Sequence, residues 1–182
     1  MTVDLYTDDA FPAVHVLALR GRLKRLPGDA GEYEAAGLIR SSPQGFTLTP
    51  EGHRRHRVLF ELERASLDLG LLGIIYERFP AALRRLAALE SGWHGNGNGN
   101  GAAPRGLVVE LGRVVDDVEP ILRRSAAVSR RFEGYIGRLL EARLRLAAGE
   151  MEYAFDRDTE SIHTILHELH EHYLQTLGRG YE

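Results

Sequence analysis

Near the end of the chain three histidines, His163, His167 and His170, recur at i, i+4 and i+7, with Glu168 beside them. At 3.6 residues per turn they fall on one face of a helix, and two imidazoles one turn apart can share a metal ion or pass a proton. A histidine titrates near neutral pH, so this group is also a candidate for acid–base catalysis. The pattern is not HExxH, because the residue four after His167 is Glu171. Three histidines along nearly two turns span roughly 10 Å, so one ion takes two of them at most. Three readings stay open: polar positions hydrogen-bonded within a bundle, a pocket that binds or turns over a small molecule, and a metal site. The first is favoured, and no metal or cofactor is expected.

The element that must position this face is a helix over Thr159–Leu177, with an apolar seam of Ile162, Leu166, Leu169, Tyr173 and Leu177. Upstream, Phe132, Tyr135, Ile136, Leu139, Leu140 and Leu144 form a second stripe, closed by Gly149, with an irregular link over Glu150–Arg157. Pro120 kinks or restarts the helix that begins near Leu107. The run Gly95–Gly101 alternates Gly and Asn and reads as a flexible loop. Trp93 and His94 stand at its lip, where they either line a ligand pocket or anchor the loop. With Tyr76, Tyr135 and Tyr173 they are the candidate ligand-binding residues.

A second constellation lies earlier. In GLIRSSPQGFTLTPEGHRRHR, residues 37–57, a turn-rich Ser41–Gly45 separates two short extended segments, and Thr49-Pro50-Glu51 starts a helix. Between residues 20 and 57 eight basic side chains face four acidic ones, leaving −7 for the remainder of a chain of net charge −3. Lys24, Arg25, Arg40, Arg54, Arg55 and Arg57 are the candidate phosphate contacts, and His53 and His56 could extend that surface. The alternative is an ordinary solvated face.

Before the hairpin, Phe11-Pro12 opens a helix that Gly21 ends, and residues 1–9 form a strand or a loose arm. From Pro50 one helical stripe runs on to Ile75 or Tyr76, and Pro80 begins another helix. Only fourteen residues, Leu23 to Ala36, separate the first helix from the hairpin. Pro27-Gly28 breaks them, so the second helix has about two turns, and Glu32 and Glu34 on it repel phosphates.

Composition excludes several classes. With 182 residues, 43% of them hydrophobic, the chain can bury a core, as one domain or two small ones. It holds no cysteine, which removes disulfides, thiol nucleophiles and Cys-based zinc sites. MTVDLYTDDAF has three aspartates and no basic segment, and no apolar run suits a membrane helix, so a cytoplasmic location without membrane partners is expected.

The hairpin motif "GLI…F-LTP-G" resembles the wing of MarR-like winged helix-turn-helix proteins. The resemblance extends through FEGYIGRLLEARLRLAAGE and SIHTILHELHEHYLQTLG to uncharacterised relatives with a helical C-terminal domain, some fused to or named after phosphoenolpyruvate-utilising dikinases. It implies a mainly α fold: a winged-helix domain over 1–57 and a helical ligand-binding or dimerisation domain over 58–182. Such relatives have a longer recognition helix before GLI and an acidic, Asp-bearing loop after the Trp; both are altered here. The first functional expectation is therefore a DNA-binding, small-molecule-responsive transcription regulator, a homodimer with weakened base readout. The alternatives are a winged-helix scaffold recruited as an enzyme through His163, His167, His170 and Glu168, and a non-catalytic ligand-binding protein.

Overall fold

The computed structural model describes residues 11–26, 28–95 and 105–179. The protein is mainly helical, with one two-stranded antiparallel sheet among the described residues. It forms two compact units, Met1–Leu67 and Asp68–Glu182. The N-terminal arm and residues 96–101 of the Gly/Asn run lie outside the described residues, as does the side chain of His94.

In the first unit, helix α1 (Phe11–Arg20) buries Phe11, Ala13, Val14, His15 and Leu17. It stops at Gly21, whose positive φ of 73° suits a residue without a Cβ. Helix α2 (Ala30–Ala35) is capped by Asp29, whose carboxylate accepts the Gly31 N–H at 2.8 Å. Strands β1 (Ile39–Arg40) and β2 (Thr47–Leu48) pair with Ile39 opposite Leu48 and Arg40 opposite Thr47. Leu23 adds a third row by exchanging two backbone hydrogen bonds with Phe46, at 3.1 and 2.8 Å. Helix α3 (Pro50–Ser66) follows, with Thr49 as its cap. The Thr49 hydroxyl donates to the Gly37 carbonyl at 2.6 Å and accepts the Gly52 N–H at 3.0 Å, tying strand to helix. Gly52 has a packing reason: a Cβ there would collide with the Leu38 carbonyl oxygen.

The single helix expected from Pro50 to Tyr76 is two helices. Leu67 is extended, and the Asp68 carboxylate accepts the Leu71 N–H at 2.9 Å to begin α4 (Leu69–Tyr76). A short polar side chain that bonds nearby backbone competes with helix continuation, which is why the chain breaks here. The units therefore divide at Leu67/Asp68, and the expected boundary at 57/58 falls inside α3.

The second unit contains α4, α5 (Phe79–Gly95), α6 (Arg105–Val128), a 3-10 turn (Arg130–Phe132), α7 (Glu133–Ala147), a one-turn α8 (Glu152–Phe155) and α9 (Ile162–Leu177). Pro120 does not restart α6, which runs through it. The link after Gly149 is not wholly irregular, since it contains α8. The seam of α7 is Tyr135, Leu139, Ala142 and Leu146, while Leu144 is 66% exposed. Five residues past Leu139 is 140° off its face, so Leu144 could not have shared the stripe. Helix α9 starts at Ile162 rather than Thr159, because Ser161 caps it by accepting the Thr164 N–H at 3.1 Å. It packs against α4, α5, α7 and α8, which makes it the core helix of the unit, with Ile162, Ile165, Leu166, Leu169 and Tyr173 fully buried.

Candidate functional site

The three histidines of α9 do not act as one group. His163 is buried, with its Nε2 3.5 Å from a carboxylate oxygen of Glu90 on α5. Its ring centroid is 4.3 Å from that of His167, which is exposed. One turn on, His170 turns away: its Nε2 is 2.9 Å from the Tyr76 hydroxyl of α4 and its ring stacks on that tyrosine. Burial lowers the pKa of all three; the charge of His167 adds to the effect on His163 and His170, and Glu90 opposes it at His163 and His167. Neutral imidazoles are thus the favoured forms, as a general base requires. Among the described residues no three His, Asp or Glu side chains are grouped as metal ligands.

Glu168 is not part of this group. Both its oxygens accept from Arg138 of α7 at 2.7 Å, and its side chain is 1% exposed. Arg138 also reaches Glu160 at 2.8 Å. Burial, the largest single influence, would lower the Arg138 pKa, but the bonds and charge of Glu168 together with Glu160 and Tyr135 more than offset it and the net shift is upward.

The candidate aromatic residues are brought together only in part: the ring centroids of Tyr76 and Tyr173 lie 5.3 Å apart. Tyr173 lies fully buried with its hydroxyl 2.5 Å from that of Ser125, and burial pushes its pKa up to about 12. Tyr135 is buried under the Arg138 guanidinium, 5.1 Å from its ring centroid. Tyr76 packs between His170 and Arg179, the latter 5.4 Å above its ring. Trp93 belongs to the last turn of α5, half-buried against the helical core. A fourth histidine of α9, His172, is not marked out by the spacing of the other three; it is buried and stacks on Phe132 at 4.4 Å. Its position three after Leu169, on the apolar seam, was the available signal. Equally unforeseen is a groove of about 820 Å³ formed by α4, α5 and α6.

In the first unit Lys24, Arg25, Arg40, Arg54, Arg55 and Arg57 are all exposed. Strand alternation explains two of them. Leu23, Phe46, Leu48 and Ile39 point inward to the small core, so Lys24, Thr47 and Arg40 point outward. Arg54 pairs with Glu51 one turn before it. His56 does not join this surface: it is buried and bonds His15 at 2.9 Å within a stack of Phe11 and Phe60. Its i+3 spacing from His53 turns it toward α1, whereas His53 stays exposed. Helix α2 has six residues and buries only Tyr33. Glu34 on it is bonded by the Ser41 hydroxyl and N–H at 2.7 and 3.1 Å, the hydroxyl first among the causes that hold its carboxyl below the ordinary range.

No protein-family model matches the chain, and comparison with curated proteins and with solved structures gives no match.

Proposed function

We propose that the protein is a winged-helix regulator of the MarR-like kind, whose first unit holds nucleic-acid phosphates and whose helical unit binds a small molecule. The observation that carries this reading is the two-stranded sheet with the Leu23–Phe46 bridge beside it, where Lys24 and Arg40 are directed outward while Leu23, Ile39, Phe46 and Leu48 form the core beneath. Arginines 54, 55 and 57 on the first turns of α3 extend the same positive character. Such a face neutralises phosphates without reading bases. Base readout is weak on this reading, because α2 is about 9 Å long and offers Glu32 and Glu34 to the groove. The resemblance adds a homodimer in the cytoplasm.

Fluorescence anisotropy of labelled duplex DNA at about 50 and 200 mM salt tests this. A steep salt dependence is expected, and its slope should flatten by about one unit for each phosphate that an Arg54→Ala, Arg55→Ala, Arg57→Ala variant no longer neutralises. No binding at the lower salt overturns the reading.

A second reading, an enzyme using histidine acid–base chemistry, is favoured by one geometry: Glu90 beside His163, and the exposed His167 next to it. If His163→Ala and His167→Ala both leave turnover of a candidate substrate intact, that reading fails.

A further inference from the structure

We propose that the groove formed by α4, α5 and α6 binds an amphipathic monoanion, an alkyl carboxylate whose head group meets Arg78 and Arg124. This deepens the small-molecule half of the function proposed above and is independent of the nucleic-acid half.

The groove is apolar where its walls face each other. Helix α4 contributes Leu71 and Ile74, which are 46% and 70% exposed, unusual for side chains of that size on an otherwise well-packed helix. Helix α6 contributes Ile121 and Ala127, and Ala81 of α5 lies between. Three alanines, Ala81, Ala82 and Ala127, stand where larger side chains would fill the space, and the groove has a volume of about 820 Å³, within the range of small-molecule sites.

Charge selects the class of ligand. Three arginines and one aspartate line the groove. Arg85 is committed, with its guanidinium 2.6 Å from Glu110 and 3.0 Å from Asp117, so the one lining acid is already neutralised. Arg78 and Arg124 are exposed and make no side-chain ion pair or hydrogen bond among the described residues. A planar guanidinium with free N–H donors matches a carboxylate, and burying the tail against apolar walls releases water from both. A second copy of the chain fits less well. A two-fold interface presents each patch to itself, which would set these arginines against like charges with no free acid in the lining to answer them.

The test is calorimetric titration of the full chain with decanoate and with decan-1-ol, which differ in the head group. Saturable 1:1 binding of decanoate is expected, at least tenfold tighter than that of the alcohol. In an Arg78→Gln, Arg124→Gln variant decanoate should fall to the level of the alcohol, and Ala127→Phe should remove both. Because Arg78 and Arg124 are exposed, the double variant keeps its fold even where Ala127→Phe does not, and a circular-dichroism melt checks this. Equal affinity for the two ligands, or a double variant that binds decanoate as the wild type does, overturns the proposal. So does an absence of binding together with a dimer in sedimentation that Ile74→Asp converts to monomer, since the groove is then covered by a second copy. Failure of DNA binding leaves every one of these outcomes unchanged.

Discussion

Arg138 holds Glu168 in a two-pronged clamp, each guanidinium Nη 2.7 Å from one carboxylate oxygen, across α7 and α9. A carboxylate committed twice over to an arginine is a fixed ion and has no proton to lend to His167 beside it. Glu168→Ala should therefore cost about 1–3 kcal/mol in urea unfolding, because Arg138 loses its buried partner and keeps only the more exposed Glu160. The Arg138→Met, Glu168→Leu double variant should recover most of that loss. A single variant within about 0.5 kcal/mol of the wild type would show that the clamp contributes little.

His15 and His56 share a hydrogen bond inside an aromatic stack. One ring nitrogen must donate and the other accept, so the two tautomers are linked. Replacing either histidine by Phe should cost about 1–3 kcal/mol, by leaving a buried polar atom. The double replacement should be less than additive, with a coupling of about 0.5 kcal/mol or more in a double-mutant cycle. Strict additivity would mean that the rings are neighbours without an energetic link.

The histidines of α9 predict a pH dependence. Their folded pKa values lie below the ordinary 6.5, chiefly through burial, with Arg157 adding to the effect at His163 and His167, and Glu90 and Glu171 opposing it. A group with a depressed folded pKa binds fewer protons when folded. Its stabilisation is complete above 6.5 and is lost as pH falls through the lower folded values. Melting temperature should hold steady above 6.5 and fall below it, and a His163→Asn, His167→Asn variant should show a shallower fall. An unchanged profile in that variant would place the pH dependence elsewhere.

Gly45 and Gly52 should resist substitution for different reasons. Gly45 has φ 118°, and a Cβ there would also strike the Leu23 carbonyl; at Gly52 the obstacle is steric, the Leu38 carbonyl first and the Leu48 side chain after it. Each Gly→Ala change should cost more than about 1 kcal/mol by thermal melting. Gly92, which meets nothing within 4 Å, should gain a few tenths of a kcal/mol or more when replaced by Ala, since it lies within a helix.

What was legible in the sequence was local. Thr49-Pro50 marks a helix start because cap and first-turn chemistry involve residues three apart, and the turn at Ser41–Gly45 declares itself in the same way. Asp68 carried the same kind of signal before an apolar run, yet the continuous spacing of Leu62, Ala65 and Leu69 masked it. Helical spacing rightly put His163 and His167 side by side. It could not show that His170 would turn to Tyr76, 94 residues away, or that Glu168 would meet Arg138, because such partners are chosen by the packing of whole helices. The groove was illegible for a related reason: Arg78 and Arg124 look like any surface arginines until the acids that could answer them are found to be engaged with others.

Trp93 is the sole tryptophan, and it rests half-buried on the core of the second unit. Indole emission therefore watches one unit and is blind to the other. Lys24, the sole lysine, stands in the first unit on the outward face of the sheet, so an amine-directed dye applied with the α-amino group blocked reports from the proposed phosphate-binding surface. The chain thus comes with one intrinsic and one attachable lamp, one in each unit, and the unfolding of the two can be followed separately in a single cuvette without altering a residue.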